Sequence, residues 1–245
     1  AFMTKKHLEL AERVAQRYGQ VPQVEAVVIG GSVATGQASS ESDIDLYVYM
    51  TAEIGADERL SIAREFAADA RMNDFWGPGN EWIDPETNIQ VDMVFWTTGW
   101  IEDQVERVLV RHEAWVGYTT CFWHTVRQSR ILFDRNGWFK GLSKRAQADY
   151  PEPMVTNIIR QNYPILRENP SAYIHQLEKA VARGDLVSVN HRMAELLSSY
   201  FDIIFAVNRL PHPGEKRLLT IAEATCKTLP ENMVAEVTAL LRAAG

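Results

Sequence analysis

Asp43 and Asp45 stand two residues apart in "DIDLYVYM", whose alternation of apolar and polar residues predicts a strand. Side chains two apart on a strand share a face, so two carboxylates lie side by side. Like charges held together in a dry site force one group to take a proton or both to share a cation. Magnesium settles that conflict, because it prefers oxygen ligands and usually combines one or two protein carboxylates with substrate phosphates. Asp92, in the later strand-like run "VDMVFW", supplies a third oxygen donor. Three carboxylates around two metal ions suit in-line phosphoryl or nucleotidyl transfer, since the ions stabilise both the attacking and the leaving oxygen.

The apolar run "VEAVVI" leads directly into Gly30, Gly31 and Ser32. A strand that ends in small residues lets backbone amides approach an anion without side-chain obstruction. The stretch has neither the Gly-Lys-Ser/Thr ending of a Walker P-loop nor the dinucleotide fingerprint. Ser42, beside the first aspartate, is a further candidate phosphate partner. The combined expectation is that Asp43, Asp45 and Asp92 hold metal while Gly30, Gly31, Ser32 and Ser42 cradle a triphosphate.

"GGSVATGQASSESDIDLYV" followed by "VDMVFW" resembles the motif set of the nucleotidyltransferase superfamily, which includes DNA polymerase beta and the bacterial aminoglycoside adenylyltransferases. Gly31 and Ser32 fall on its Gly-Ser signature, Asp43 and Asp45 on its paired metal ligands, and Asp92 on its third carboxylate. The resemblance implies two magnesium ions and a nucleoside triphosphate, ATP foremost. An acceptor hydroxyl would attack the α-phosphorus and pyrophosphate would leave. Antibiotic adenylyltransferases often use a glutamate near the aspartates as base, which makes Glu81 in "GPGNEW" the candidate here, with Glu86 and Glu113 as weaker rivals. The helical remainder, especially "NHRMAELLSSYFDIIFAVNRLPHPGEKRLL", is similar to an uncharacterised bacterial family in which such a domain precedes a helical one.

The elements that must position these residues are legible in outline. Thr4 caps a predicted helix ending at Gly19, and a second helix is expected over "ADERLSIAREFAADARM". Two strands flank a turn at Asp84 to Asn88. From Gly99 onward strand patterns give way to amphipathic stretches punctuated by Pro and Gly. The expected fold is α+β: a mixed-sheet nucleotidyltransferase domain over 1–115 and a helical bundle over 116–245. In "LPHPGEKRLL", Lys216 follows a Pro- and Gly-shaped loop, from which it is expected to reach a β- or γ-phosphate.

Twenty-five Lys and Arg against 32 Asp and Glu give a net charge of −7, which disfavours a protein that coats nucleic acid through charge alone. Two cysteines, in no metal-ligand spacing, suggest neither a disulfide framework nor a zinc site. No apolar run has membrane-spanning length, so a soluble, cytoplasmic protein without a membrane partner is expected. The acceptor that best suits this balance is a small hydroxylated molecule, such as an aminoglycoside-like antibiotic. The alternatives are a tRNA or protein acceptor, or an inactive nucleotide-binding module.

Overall fold

The computed structural model describes residues 5–31 and 42–244. Its described residues form an α+β fold with a six-stranded mixed sheet towards the N-terminus and a helical region towards the C-terminus. Helix α1 (Lys5–Tyr18) buries His7, Leu10, Ala11, Val14, Ala15 and Tyr18 along one stripe, as an amphipathic period requires. β1 (Val24–Ile29) is apolar and buried almost throughout, because it lies inside the sheet. β2 (Ile44–Met50) alternates as its sequence predicts: Ile44, Leu46, Val48 and Met50 all enter the core.

Helix α2 (Ala56–Arg64), β3 (Arg71–Met72), β4 (Gly79–Ile83) and β5 (Gln90–Thr97) follow. The sheet order is completed by β6 (Arg130–Asp134), giving β3-β4-β5-β2-β1-β6. Among the described residues only the β2/β5 pairing is parallel; the other four are antiparallel. One face of this sheet carries Ile44, Leu46, Val48, Val91, Met93 and Phe95, and packs with α1 and α2 residues such as Leu10, Val14 and Ile62 in a single core cluster. Burying each such side chain contributes about 1.5–3 kcal/mol. The other face carries Asp45, Tyr47, Tyr49, Asp92, Val94 and Trp96 by the two-residue period.

Helices α3 (Thr98–Leu109), α4 (Cys121–Gln128) and α5 (Trp138–Ala146) come next. They precede α6 (Glu152–Tyr163), which runs on into a π-helical turn at Pro164–Glu168. The chain ends with α7 (Tyr173–Ala182), α8 (Leu186–Val207), α9 (Leu218–Thr225) and α10 (Met233–Ala244). The 22-residue α8 is the organiser here, with α6 and α7 packed along it. Asp185 caps α8 by accepting from Ser188 N at 3.1 Å and from Ser188 Oγ at 2.6 Å, which satisfies an otherwise orphaned donor.

Two compact units emerge: Ala1–Val105 with Thr125–Ala148, and Glu106–His124 with Asp149–Gly245. A single boundary at 115 does not anticipate this interleaving. Its cause is β6, a strand missing from the sequence reading, which pairs with β1 and so returns 125–148 to the sheet unit. At its end, the Asp134 carboxylate accepts from Phe139 N at 3.1 Å and Lys140 N at 2.9 Å, starting α5. α2 also stops at Arg64, well short of the expected "ADARM". Both cysteines are half-buried thiols, and no described helix is long and apolar enough to cross a membrane.

Candidate active site

Asp45 of β2 and Asp92 of β5 are register partners in the parallel pair, and Asp92 is in turn the antiparallel partner of Glu81 on β4. Partners in register share a face, with strands about 4.8 Å apart. Three carboxylates therefore form one row across the sheet, on the face opposite α1 and α2, and all three residues are half-buried. The row ends at Arg71 on β3, the cross-strand partner of Glu81. Two of the three acids are steadied by an amide: Gln90 Nε2 donates to the central Asp92, to Oδ2 at 3.0 Å and to Oδ1 at 3.2 Å. Asn73 Nδ2 donates to Glu81 Oε2 at 3.1 Å. The rival Glu86 is exposed and sits 3.7 Å from Arg13, while Glu113 belongs to the other unit, where it pairs with Arg111 at 3.0 Å.

The glycines meet this row directly. Gly30 N donates to the Asp45 carbonyl at 2.9 Å, which pins the end of β1 to the start of β2. Gly31 adopts φ 59°, and a Cβ there would collide with the Asp45 carboxylate; a Cβ on Gly30 would collide with the Tyr47 ring. The absence of side chains at 30 and 31 is thus required by the β2 side chains laid over them. Ser32 lies outside the described residues. Ser42 is half-buried, and its carbonyl accepts from His7 Nε2 at 3.0 Å, so the residue before Asp43 is tied to α1. His7 is not among the candidates of the sequence reading; its signal was a place on the buried stripe of α1, one turn from Leu10 and Ala11.

Asp43 is exposed and immediately precedes β2. Among the described residues, no group of three His, Cys, Asp or Glu side chains is drawn together tightly enough to hold a metal ion. The all-oxygen donors Asp43, Asp45 and Asp92 nonetheless have the chemistry a hard divalent cation takes. Structure thus brings Asp45, Asp92 and Glu81 into register and leaves Asp43 at the lead-in. Lys216 lies in the other unit, exposed in the turn before α9.

A clamp absent from the sequence reading shapes the edge of the row. Arg59, only 3% exposed, donates to Asp74 Oδ2 at 3.1 Å and to the Gly79 carbonyl at 3.1 Å. Hydrogen bonding from Arg59, and then from Gly79 N, holds the Asp74 carboxyl below its ordinary range. The hairpin that delivers Glu81 is fixed at its root, while Phe75 and Trp76 at its tip are 86% and 97% exposed.

The helical unit treats its polar groups differently. Asp202, 1% exposed, accepts from Thr119 N at 3.0 Å, Thr119 Oγ1 at 2.6 Å and Asn162 Nδ2 at 3.3 Å. Burial pushes its carboxyl up to about 6 against the pull of those donors. His212 is fully buried, donates its backbone N–H to Thr120 Oγ1 at 2.7 Å and accepts at Nδ1 from Gly214 N at 3.1 Å. Burial, then nearby His124, lowers its imidazole to about 4, so the ring is neutral with its proton on Nε2.

Residues 12–76 match a family model described as polymerase beta, nucleotidyltransferase, and residues 115–218 match a domain of unknown function, DUF4037. The first match contains Gly30, Gly31, Asp43 and Asp45 but stops before Glu81 and Asp92, whose places come from strand register. No curated protein matches the chain in sequence. Among solved structures, a nucleotidyltransferase-like protein from Exiguobacterium sibiricum 255-15 is similar at 11% identity and a TM-score of 0.45, over 97% of this chain and 72% of that one. The Thermotoga maritima CCA-adding enzyme complexed with tRNA gives 11% identity and 0.38, over 98% and 71%. A STING-associated CdnE c-di-GMP synthase from Capnocytophaga granulosa gives 12% and 0.33, over 99% and 84%. The match over residues 12–76, whose aspartates stand at the start of one strand of a mixed sheet, identifies this part of the chain as a nucleotidyltransferase domain of the polymerase beta type.

Proposed function

We propose that this protein transfers a nucleoside monophosphate, AMP from ATP, to a hydroxyl of a small molecule and releases pyrophosphate. Membership of the superfamily supports nucleotidyl transfer in general. The observation that carries the finer reading is the register of Asp45 with Asp92, joined in one row by Glu81, on the sheet face opposite α1 and α2.

Asp43, Asp45 and Asp92 are the residues that would hold magnesium, which when bound neutralises charge at the attacking and leaving oxygens. The chain's own share is alignment. Gly30 and Gly31 set the end of β1 against Asp45, so the backbone there lies directly beside the Asp45 carboxylate. Glu81, oriented by Asn73, accepts the proton of the acceptor hydroxyl. An acceptor O–P bond forms as the bond from the α-phosphorus to the pyrophosphate oxygen breaks, and the electron pair leaves with pyrophosphate. Ser32 and Ser42 complete the proposed polyphosphate contacts of this unit.

An aminoglycoside-like antibiotic is the favoured acceptor, because a protein of net charge −7 suits a cationic partner. Pyrophosphate release from ATP and magnesium, assayed with hydroxylated aminoglycosides and separately with tRNA, tests the proposal. Release with an aminoglycoside that disappears in Asp92→Asn supports it. Label transfer to tRNA alone replaces the acceptor, and no release with any acceptor leaves the inactive binding module.

A further inference from the structure

The row of acids has a polarity. Glu81 stands beyond Asp92 at one end, and Gly30 stands beside Asp45 at the other. With Glu81 taking the hydroxyl proton, an in-line displacement sends the pyrophosphate towards the glycine end. Magnesium offsets mainly the carboxylates that hold it, so the charge gathering on the leaving phosphates calls for cations from the protein. Segment 125–148 brings cations to that end: it carries six Lys or Arg against the single acid Asp134, in a chain whose net charge is −7.

Arg130 is the best placed of them. β6 sets it opposite Ile29, the residue before Gly30, so only β1 lies between Arg130 and the strand of Asp45. That is two strand spacings, or about 10 Å. Ile29 points into the core, whereas Arg130 heads an edge strand and is exposed, so its long side chain is not confined to the core face. The end of α5 returns to the same place: Gln147 Nε2 donates to the Arg127 carbonyl at 3.3 Å, and Arg127 Nη1 to the Ala148 carbonyl at 2.9 Å. Exposed Lys144, in the last turn of α5, adds its charge there. Other arginines of the sheet unit are already engaged: Arg17 with Glu65 at 2.6 Å, Arg59 with Asp74 at 3.1 Å, and Arg135 with the Gly19 carbonyl at 2.7 Å. The Arg130 guanidinium bonds no described residue, which leaves a planar fork suited to phosphate oxygens. We infer that Arg130 binds the β- and γ-phosphates of the donor and holds them as they depart as pyrophosphate. This inference rests on the proposed transferase reading and adds to it the residue that receives the leaving group.

Calorimetric titration of the full chain with a non-hydrolysable ATP analogue, inorganic pyrophosphate and AMP, each with magnesium, tests the assignment. Arg130→Ala and Arg130→Gln should weaken the analogue and pyrophosphate about tenfold, the effect of one charge-assisted contact, and leave AMP and the thermal midpoint unchanged. Arg71→Ala, which removes the exposed arginine at the opposite end of the row, should leave all three affinities unchanged. The assignment is overturned if both Arg130 variants bind the analogue and pyrophosphate as the wild type does, or lose AMP to the same extent. It is equally overturned if Arg71→Ala gives the larger loss, since the phosphates then lie past Glu81. Loss of tRNA binding in place of analogue binding overturns it too, because the basic segment then serves a nucleic acid. Failure of the wild type to bind the analogue with magnesium strikes the transferase reading itself, whereas analogue binding indifferent to Arg130 strikes this assignment alone.

Discussion

Asp92 and Asp202 are acids in two regions built on opposite principles. Asp92 is half-buried, in a row with two other carboxylates, and is steadied by the exposed amide of Gln90. Asp202 is sealed in the helical unit, where three donors from Thr119 and Asn162 fix it. The sheet unit gathers like charges in one row, and the helical unit uses one isolated charge to hold the 115–120 segment to α6 and α8. A buried carboxylate with full partners reads as scaffold, whereas a carboxylate beside other carboxylates is a candidate site.

Breaking each side of this contrast should give opposite phenotypes. Asp45→Asn and Asp92→Asn are expected to lower magnesium-dependent pyrophosphate release by about a hundredfold or more with the thermal midpoint preserved. Asp202→Ala should do the reverse, destabilising the fold by about 3 kcal/mol through stranded donors, with the activity of the remaining folded molecules intact. Parallel urea titration and turnover measurements check both; a stable Asp202→Ala would show that the network is dispensable.

Gly31→Ala sharpens the picture further. Left-handed backbone alone costs about 1–2 kcal/mol, and the new methyl must displace the Asp45 carboxylate. Turnover should fall far more than stability does, a difference visible by comparing initial rates with circular-dichroism melts.

A pH series addresses the helical unit. Asp202 titrates near 6 when folded and near the ordinary 3.9 when unfolded, so its contribution to stability is full below about 4 and is lost as pH rises through 6. His212, at about 4 folded against an ordinary 6.5, acts oppositely: its contribution is present above 6.5 and lost as pH falls through 4. The two nearly cancel in the wild type. Urea midpoints should therefore rise between pH 4.5 and 6.5 in Asp202→Asn and fall over the same interval in His212→Phe. Flat profiles in both variants would remove the assigned titrations. The smallest expected effect is Asp185→Ala, which removes the α8 cap at a cost of about 1 kcal/mol in the same urea assay.

Much of the site was legible because β2 obeys a strict two-residue period. Ile44, Leu46, Val48 and Met50 had to face one way, which left Asp45 on the other. The turn at Asp84 to Asn88 was also readable: Asp84 Oδ2 accepts from Thr87 N at 2.9 Å, and Asn88 takes φ 58°. Glu81 was singled out by likeness, but its alignment with Asp92 depends on hairpin register, which no single strand encodes. β6 escaped because "RILFD" is five residues long between two helices and pairs with a strand a hundred residues earlier. Arg59 escaped for another reason: a charged residue in a helix reads as solvated, and only the loop at Asp74 and Gly79 makes its burial affordable.

The borders of the sheet have a consequence of their own. On one side β3 contributes only two residues, and on the other β6 is short, begins at Arg130, and meets β1 through an irregular register between Val27 and Val28. Stubby, charged or kinked margins are poor templates for a stranger's backbone, so crowding should not zip copies of this protein together rim to rim.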